Sequence, residues 1–320
     1  MDLRRVVVTG LGALTPIGNN IPEYWEGLSK GVSGAGPITR FDASLFKTQF
    51  ACVIKNFDVN QWMDKKEARK MDPYAQYAMI AVDEAMLDSG LDIEKIDLAR
   101  AGVIWGSGIG GLKTFQDEVV DFALGDGTPR FNPFFIPKMI ADIGAGFISI
   151  KYGFQGPNFA TVSACASATN ALIDAFNYIR LGKANIFITG GSEAAVTEAG
   201  IGGFNAMKAL SQRNESPETA SRPFDKDRDG FVAGEGSGTI VVESLELGRR
   251  KLCQCECQFP VDRCLCKTAD EITCCERSHG EPLRCVERET ADWQCREGAT
   301  RGPDSITASQ GMLQRILQGP

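Results

Sequence analysis

The chain has 320 residues, enough for one large or two ordinary domains, and 43% of them are hydrophobic, as in a soluble globular protein. A formal net charge of -7 argues against nucleic acid as the main partner. No apolar run approaches the roughly 18 residues of a membrane span. The N-terminal apolar stretch is too short for a signal-peptide core, so a cytoplasmic location is the default expectation.

In chain order, residues 5–9 read as a first buried strand. A basic cluster follows at Lys65, Lys66, Arg69 and Lys70. It is read either as a solvated helix face or as a docking patch for an acidic partner. Residues 72–88 carry Ala75, Met79, Val82 and Met86 at helical spacing. Residues 101–105 predict a strand, and Gly106, Gly108, Gly110 and Gly111 follow it. This G-x-G-x-x-G run suggests a dinucleotide site, but the acidic residue expected about 20 positions on has no clear candidate. A tight loop packed closely against a site is the better account.

Cys165 is the most informative residue. A β-prone run at 159–162 stops in small residues, and Leu172, Ala175, Phe176 and Ile179 then repeat at helical spacing. Gly182 reads as the stop. Cys165 is thus expected at a strand-to-helix turn, where unpaired N–H groups and the helix dipole favour a thiolate. Further strands are expected at 184–189 and 239–243. Asp225, Asp227, Asp229 and Gly230 open like a calcium loop, but position 236, where the closing glutamate belongs, is Gly236. A charged turn is the expectation there, with no metal. Strands alternating with helices, and glycine clusters after several strands, predict a mainly parallel α/β sheet with the site at one edge.

Composition breaks near residue 250. Residues 1–250 hold two cysteines, Cys52 and Cys165, and the remainder holds nine, from Cys253 to Cys295. The C-x-x-C pairs of structural zinc sites are missing from this tail. It is dense in charge and without hydrophobic period, so disorder is expected over residues 251–320, with no strand and at most a short helix at 311–317. His279 is the chain's one histidine, and nothing around it suggests a built site.

Residues 1 to about 250 closely resemble the beta-ketoacyl-acyl carrier protein synthase II family. The resemblance is carried by RVVVTGLGALTPIG (5–18), GSGIGG (106–111), NPFFIP (132–137), the Cys165 segment, ALSQRN (209–214) and SRPFDKDRDGFVAGEG (221–236). It implies the thiolase-like fold, of which this chain carries the N-terminal αβαβα half. It implies that Cys165 takes an acyl group as a thioester from acyl carrier protein, and that malonyl-carrier protein then decarboxylates and condenses with it. No cofactor is implied beyond the phosphopantetheine that the carrier protein bears. Ile109, Phe204 and Phe135 of a partner subunit resemble the walls of the acyl pocket. Lys66, Arg69, Lys70, Arg130 and Lys208 match carrier-protein docking positions, and strand 184–189 resembles the one that pairs across the family's homodimer. The family's second half supplies two histidines, a lysine and a phenylalanine segment with an oxyanion-hole N–H, and none of these motifs is present. Condensation is therefore expected to be lost, and the tail's composition is that of a shifted reading frame or a gene-model error. Two alternatives stand beside this reading. One is a catalytically dead subunit pairing with an intact synthase; the other is a thiolase-fold condensing enzyme using coenzyme A thioesters.

Overall fold

A computed structural model describes residues 3–252 and the stretches 263–267, 272–276 and 284–286. The chain divides into two compact units, Met1–Glu243 and Ser244–Pro320. The first runs β1 (Val6–Leu14), α1 (Ile21–Ser29), β2 (Gly36–Pro37), β3 (Phe50–Ala51), α2 (Lys65–Ala68), α3 (Pro73–Ser89), β4 (Ala101–Gly106), α4 (Leu112–Leu124), α5 (Phe135–Met139), α6 (Ile143–Tyr152), β5 (Asn158–Thr161), α7 (Ser167–Arg180), β6 (Ile186–Glu193), α8 (Glu198–Ala206) and β7 (Gly236–Ser244).

The main sheet has the strand order β1-β7-β6-β4-β5. β4 is parallel to both β5 and β6, as the alternating pattern predicts. β7 departs from that expectation and runs antiparallel to β6, with Gly236 opposite Glu193. After β6 the chain therefore re-enters the sheet from the edge at which it left, and the sheet is mixed. The expectation that strand 184–189 pairs across a dimer is also corrected. Residues 186–189 lie in β6, which is interior and hydrogen-bonded on both sides, to β4 and to β7. Its N–H and C=O groups are already used within the chain. The strands at the two ends of the sheet are β1 and β5.

α3 starts on Asp72, whose side chain accepts from the Tyr74 N–H, with Pro73 fitted to the first turn. It ends on Gly90 in the left-handed region. Ala75, Met79, Val82 and Met86 are buried as predicted, but so are Tyr74, Tyr77, Ala78 and Ile80. The helix is apolar nearly all round and runs through the interior. α7 covers the other side of β4 and β6. Its Ala171, Ala175 and Ile179 pack with Ile104, Phe187 and Val242. The predicted face is thus rotated: Phe176 is exposed, with the Arg180 guanidinium 5.4 Å from its ring centroid.

In the second unit, α9 (Leu245–Leu252) precedes an antiparallel meander of β8 (Arg263–Lys267), β9 (Ile272–Glu276) and β10 (Arg284–Val286). Cys264 and Cys285 both take register positions opposite Cys275. These strands correct the expectation that none forms after residue 250. A pairing of three to five residues needs only short β-prone runs such as Ile272-Thr273, not a long hydrophobic period. The expected disorder of the remaining tail, the 311–317 helix and His279 lie outside the described residues. Among the described residues, no helix is long and apolar enough to cross a membrane.

Candidate active site

The site is built where the parallel strands end. β4 stops at Gly106 and β5 at Thr161, side by side. The Ser107 N–H reaches the Thr161 carbonyl at 3.4 Å. From β5 the chain passes through Val162, Ser163, Ala164, Cys165 and Ala166, all exposed, before α7 begins at Ser167. Cys165 is free and solvent-exposed at the strand-to-helix turn that the sequence predicts.

The turn is tight. Ala164 has φ +52°, a left-handed conformation that costs an alanine roughly 1–2 kcal/mol. Ser167, 2% exposed, holds it. Its Oγ accepts the Ser163 N–H at 2.9 Å and donates to the Ala164 carbonyl at 2.6 Å. Asn170 adds a bond to Ser163 Oγ at 2.6 Å, and Thr161 Oγ1 donates to the Ser167 carbonyl at 2.7 Å. The backbone closes Ala166 N–H onto Ser163 O and Ser167 N–H onto Ala164 O, both at 3.1 Å. No side chain caps α7, a helix of 14 residues, so its N-terminal dipole faces the cysteine.

Two glycines let α7 come this close. A methyl on Gly106 would lie 2.4 Å from Ala168 N and 2.5 Å from Ser167 C. One on Gly191, in β6, would meet the Ala168 Cβ at 2.7 Å. The first turn of α7 is therefore seated directly on the ends of β4 and β6.

The Gly106–Gly111 run forms the loop beside this seat. Ala164 O lies 3.3 Å from where a Cβ on Gly108 would stand, so the loop abuts the cysteine turn. Ile109 is exposed, at 44%. Its N–H and that of Gly108 both bond to Glu193 Oε2, at 3.1 and 2.7 Å. Burial pushes the Glu193 carboxyl above its ordinary range, against the lowering effect of those bonds. Sequence reasoning missed Glu193. Its one local signal is its place two residues after Gly190-Gly191 at a strand end.

The other candidate pocket residues lie on separate elements. Phe204, in α8, packs edge-on to Phe231 with centroids 5.3 Å apart and sits against a core of Val196, Ile201 and Leu210. Phe135, in α5, stacks on Phe131 at 5.5 Å and Phe115 at 6.4 Å, in an aromatic row that Phe122 extends. α8 is tied to α4 through Gln116, which accepts the Ala199 N–H at 2.8 Å.

Of the basic candidates, Lys66, Arg69, Arg130 and Lys208 are exposed. Lys70 pairs with Glu67 at 2.6 Å and Arg130 with Asp126 at 3.6 Å. Among the described residues Lys66 and Arg69 pair with no carboxylate. Arg69 lines a groove of about 490 Å³ together with Lys65, Lys113, Lys138 and Asn132. Lys208 stands apart, just after α8, in a left-handed conformation with φ +57°. In the Asp225–Gly230 turn the three aspartates are exposed, and Asp229 accepts from Ser211 Oγ at 2.8 Å and the Gln212 N–H at 3.0 Å. It is the charged turn expected.

Comparison with known proteins agrees with this architecture. Residues 3–247 match the family described as beta-ketoacyl synthase, N-terminal domain. The 3-oxoacyl-[acyl-carrier-protein] synthase 2 of Synechocystis sp. is 49% identical over 246 residues, covering 77% of this chain and 59% of the relative. The chain thus spans about three fifths of the length of the curated relatives it matches. A beta-ketoacyl synthase from Burkholderia phymatum superposes with a TM-score of 0.70 at 29% identity, covering 78% of this chain and 61% of that one. A type II polyketide ketosynthase in complex with its acyl-carrier protein, bound to a hexaketide, superposes with a TM-score of 0.66 at 29% identity, covering 78% of this chain and 60% of that one. By the match over residues 3–247 and the 49% identity over 77% of its length, this chain belongs to the beta-ketoacyl synthase family.

Proposed function

We propose that the chain acts in fatty acid synthesis as the acyl-accepting part of a 3-oxoacyl-acyl carrier protein synthase. The Cys165 sulfur attacks the carbonyl of an acyl thioester borne on the phosphopantetheine of acyl carrier protein. A new C–S bond forms, the original C–S bond breaks, and the phosphopantetheine thiol leaves with the proton from Cys165. The observation that carries the reading is the exposed Cys165 on a strained turn ahead of an uncapped helix N-terminus. Such a position favours a nucleophilic thiolate, and the positive end of the helix dipole favours the developing oxyanion. Ile109, Phe204 and a partner copy's Phe135 are proposed to bound the acyl chain.

Acidic carrier protein is proposed to dock on Lys66, Arg69, Lys70, Arg130 and Lys208, in the cytoplasm. Lys66 and Arg69 support this because they are exposed and, among the described residues, pair with no carboxylate. The groove beside Arg69 adds Lys65 and Lys138 to the basic surface, while its Lys113 is paired with Asp117. A homodimer is proposed to form along the end strand β5, whose outer side has no neighbouring strand among the described residues. Decarboxylation and condensation are proposed to need histidines that these 320 residues do not supply, since His279 is their only one. Incubation with acyl- and malonyl-carrier protein should yield a covalent acyl-protein and no beta-ketoacyl product. Product formed at the rate of a full-length synthase would overturn the assignment to acyl loading alone.

A further inference from the structure

We propose that Glu193 is a positioning residue that fixes Ile109 relative to Cys165 and thereby sets which acyl chains load. The proposal rests on the acyl-transfer reading above. Every N–H from Ser107 to Gly111 has a partner. Ser107 and Gly111 bond to the backbone of Thr161 and Met139, at 3.4 and 2.9 Å. Gly110 bonds to Ser107 Oγ at 3.0 Å. Gly108 and Ile109, the two that present the pocket wall, bond to neither backbone nor hydroxyl but to one carboxylate oxygen of Glu193. Where the loop tip stands is therefore decided by a side chain on the neighbouring strand.

That side chain also sits in the packing of the cysteine turn. A Cβ on Gly108 would lie 3.0 Å from Glu193 Oε2 on one side and 3.3 Å from Ala164 O on the other. Carboxylate, loop and the residue before the nucleophile are thus stacked in contact, so moving the first shifts the others. Glu193 forms no ion pair among the described residues; its charge is met only by loop N–H groups and, at 3.5 Å, the Ser107 hydroxyl. A core that needed only to be filled would not place an unpaired carboxylate here. β6 holds the carboxylate at its end, where Glu193 is paired with Gly236 of β7, two residues beyond Gly191 and its pairing with Gly106 of β4. A side chain on a fixed strand that holds a loop tip by two bonds gives the geometric precision that pocket selectivity requires.

The test is the rate of Cys165 thioester formation from a short-chain and a long-chain acyl-carrier protein, for the full chain and for Glu193→Ala, Glu193→Asp and Glu193→Gln. The ratio of the two rates should change about tenfold in Glu193→Ala, the scale on which pocket walls discriminate hydrocarbon chains. Glu193→Asp keeps the charge but withdraws the oxygen by one methylene and should shift the ratio in the same direction, which keeps the test decisive if the alanine variant does not fold. Glu193→Gln keeps an oxygen at the right reach and should stay within about threefold of the parent. A folded Glu193→Asp or Glu193→Ala whose ratio is unchanged, even with both rates lowered, overturns the positioning role while leaving acyl transfer intact. Absence of any thioester in the parent chain overturns both.

Discussion

At Cys165 the sequence supplies a free, exposed thiol, proposed above as the nucleophile, and the residues around it hold its turn. Ala164 accepts backbone strain, and Ser167 is the brace that holds it, through one accepted and one donated bond. Ser167→Ala removes both and leaves the partly buried Ser163 N–H without its partner. The expected loss is about 2 kcal/mol in denaturant-monitored stability. Cys165 acylation should slow about tenfold as the turn relaxes. Wild-type stability together with wild-type acylation would show that Ser167 holds nothing that matters. The position of Cys165 was legible because small residues and helical spacing are local signals. The roles of Ser167 and Glu193 were not, because both act on partners that only the fold brings near; Glu193 meets Gly108 across 85 positions of sequence.

Among the elements, the contact of α7 with β4 and β6 sets the height of the cysteine above the sheet. A glycine at position 106 is what permits it, because the atoms a methyl would strike are helix backbone and cannot rotate away. Gly106→Ala should therefore destabilise the chain by about 3 kcal/mol, the upper range of overpacking costs. The folded fraction should acylate about 100-fold more slowly, since a displacement near 1 Å costs that much in rate. Thermal unfolding and single-turnover labelling check the two parts. Unchanged values would mean that the helix is not seated as described. The existence of α3, α7, β4 and β7 could be read from periodicity. The buried face of α7 could not, because alanines such as Ala171 and Ala175 win the tight places against the sheet while the bulkier Phe176 is left outside. The order of the strands and the reversed direction of β7 were equally hidden: β7 is antiparallel because of the edge from which the chain returns. β6 is interior because of pairings that no local pattern encodes.

On the scale of the whole molecule, one end of the mixed sheet presents the exposed Cys165 with a glycine loop beside it, and among the described residues Lys66 and Arg69 pair with no carboxylate. Buried carboxyls are part of that framework. Asp72 receives the Thr114 N–H and hydroxyl, and Glu235 meets Arg40 and the Ile54 N–H. Burial raises the carboxyl pKa of both, against those interactions. They join distant segments of the chain. Cys52, half-buried and with its thiol pKa pushed up by burial, provides an internal comparison for reactivity. The most direct measurement is peptide mapping by mass spectrometry after brief exposure of the purified chain to acyl-carrier protein. The acyl mass should appear on the peptide that contains Cys165 and vanish in Cys165→Ser, with Cys52 and the cysteines beyond residue 250 unlabelled. Acylation that falls equally on Cys52 or the later cysteines, or that survives Cys165→Ser, would contradict the assignment of Cys165 as the nucleophile.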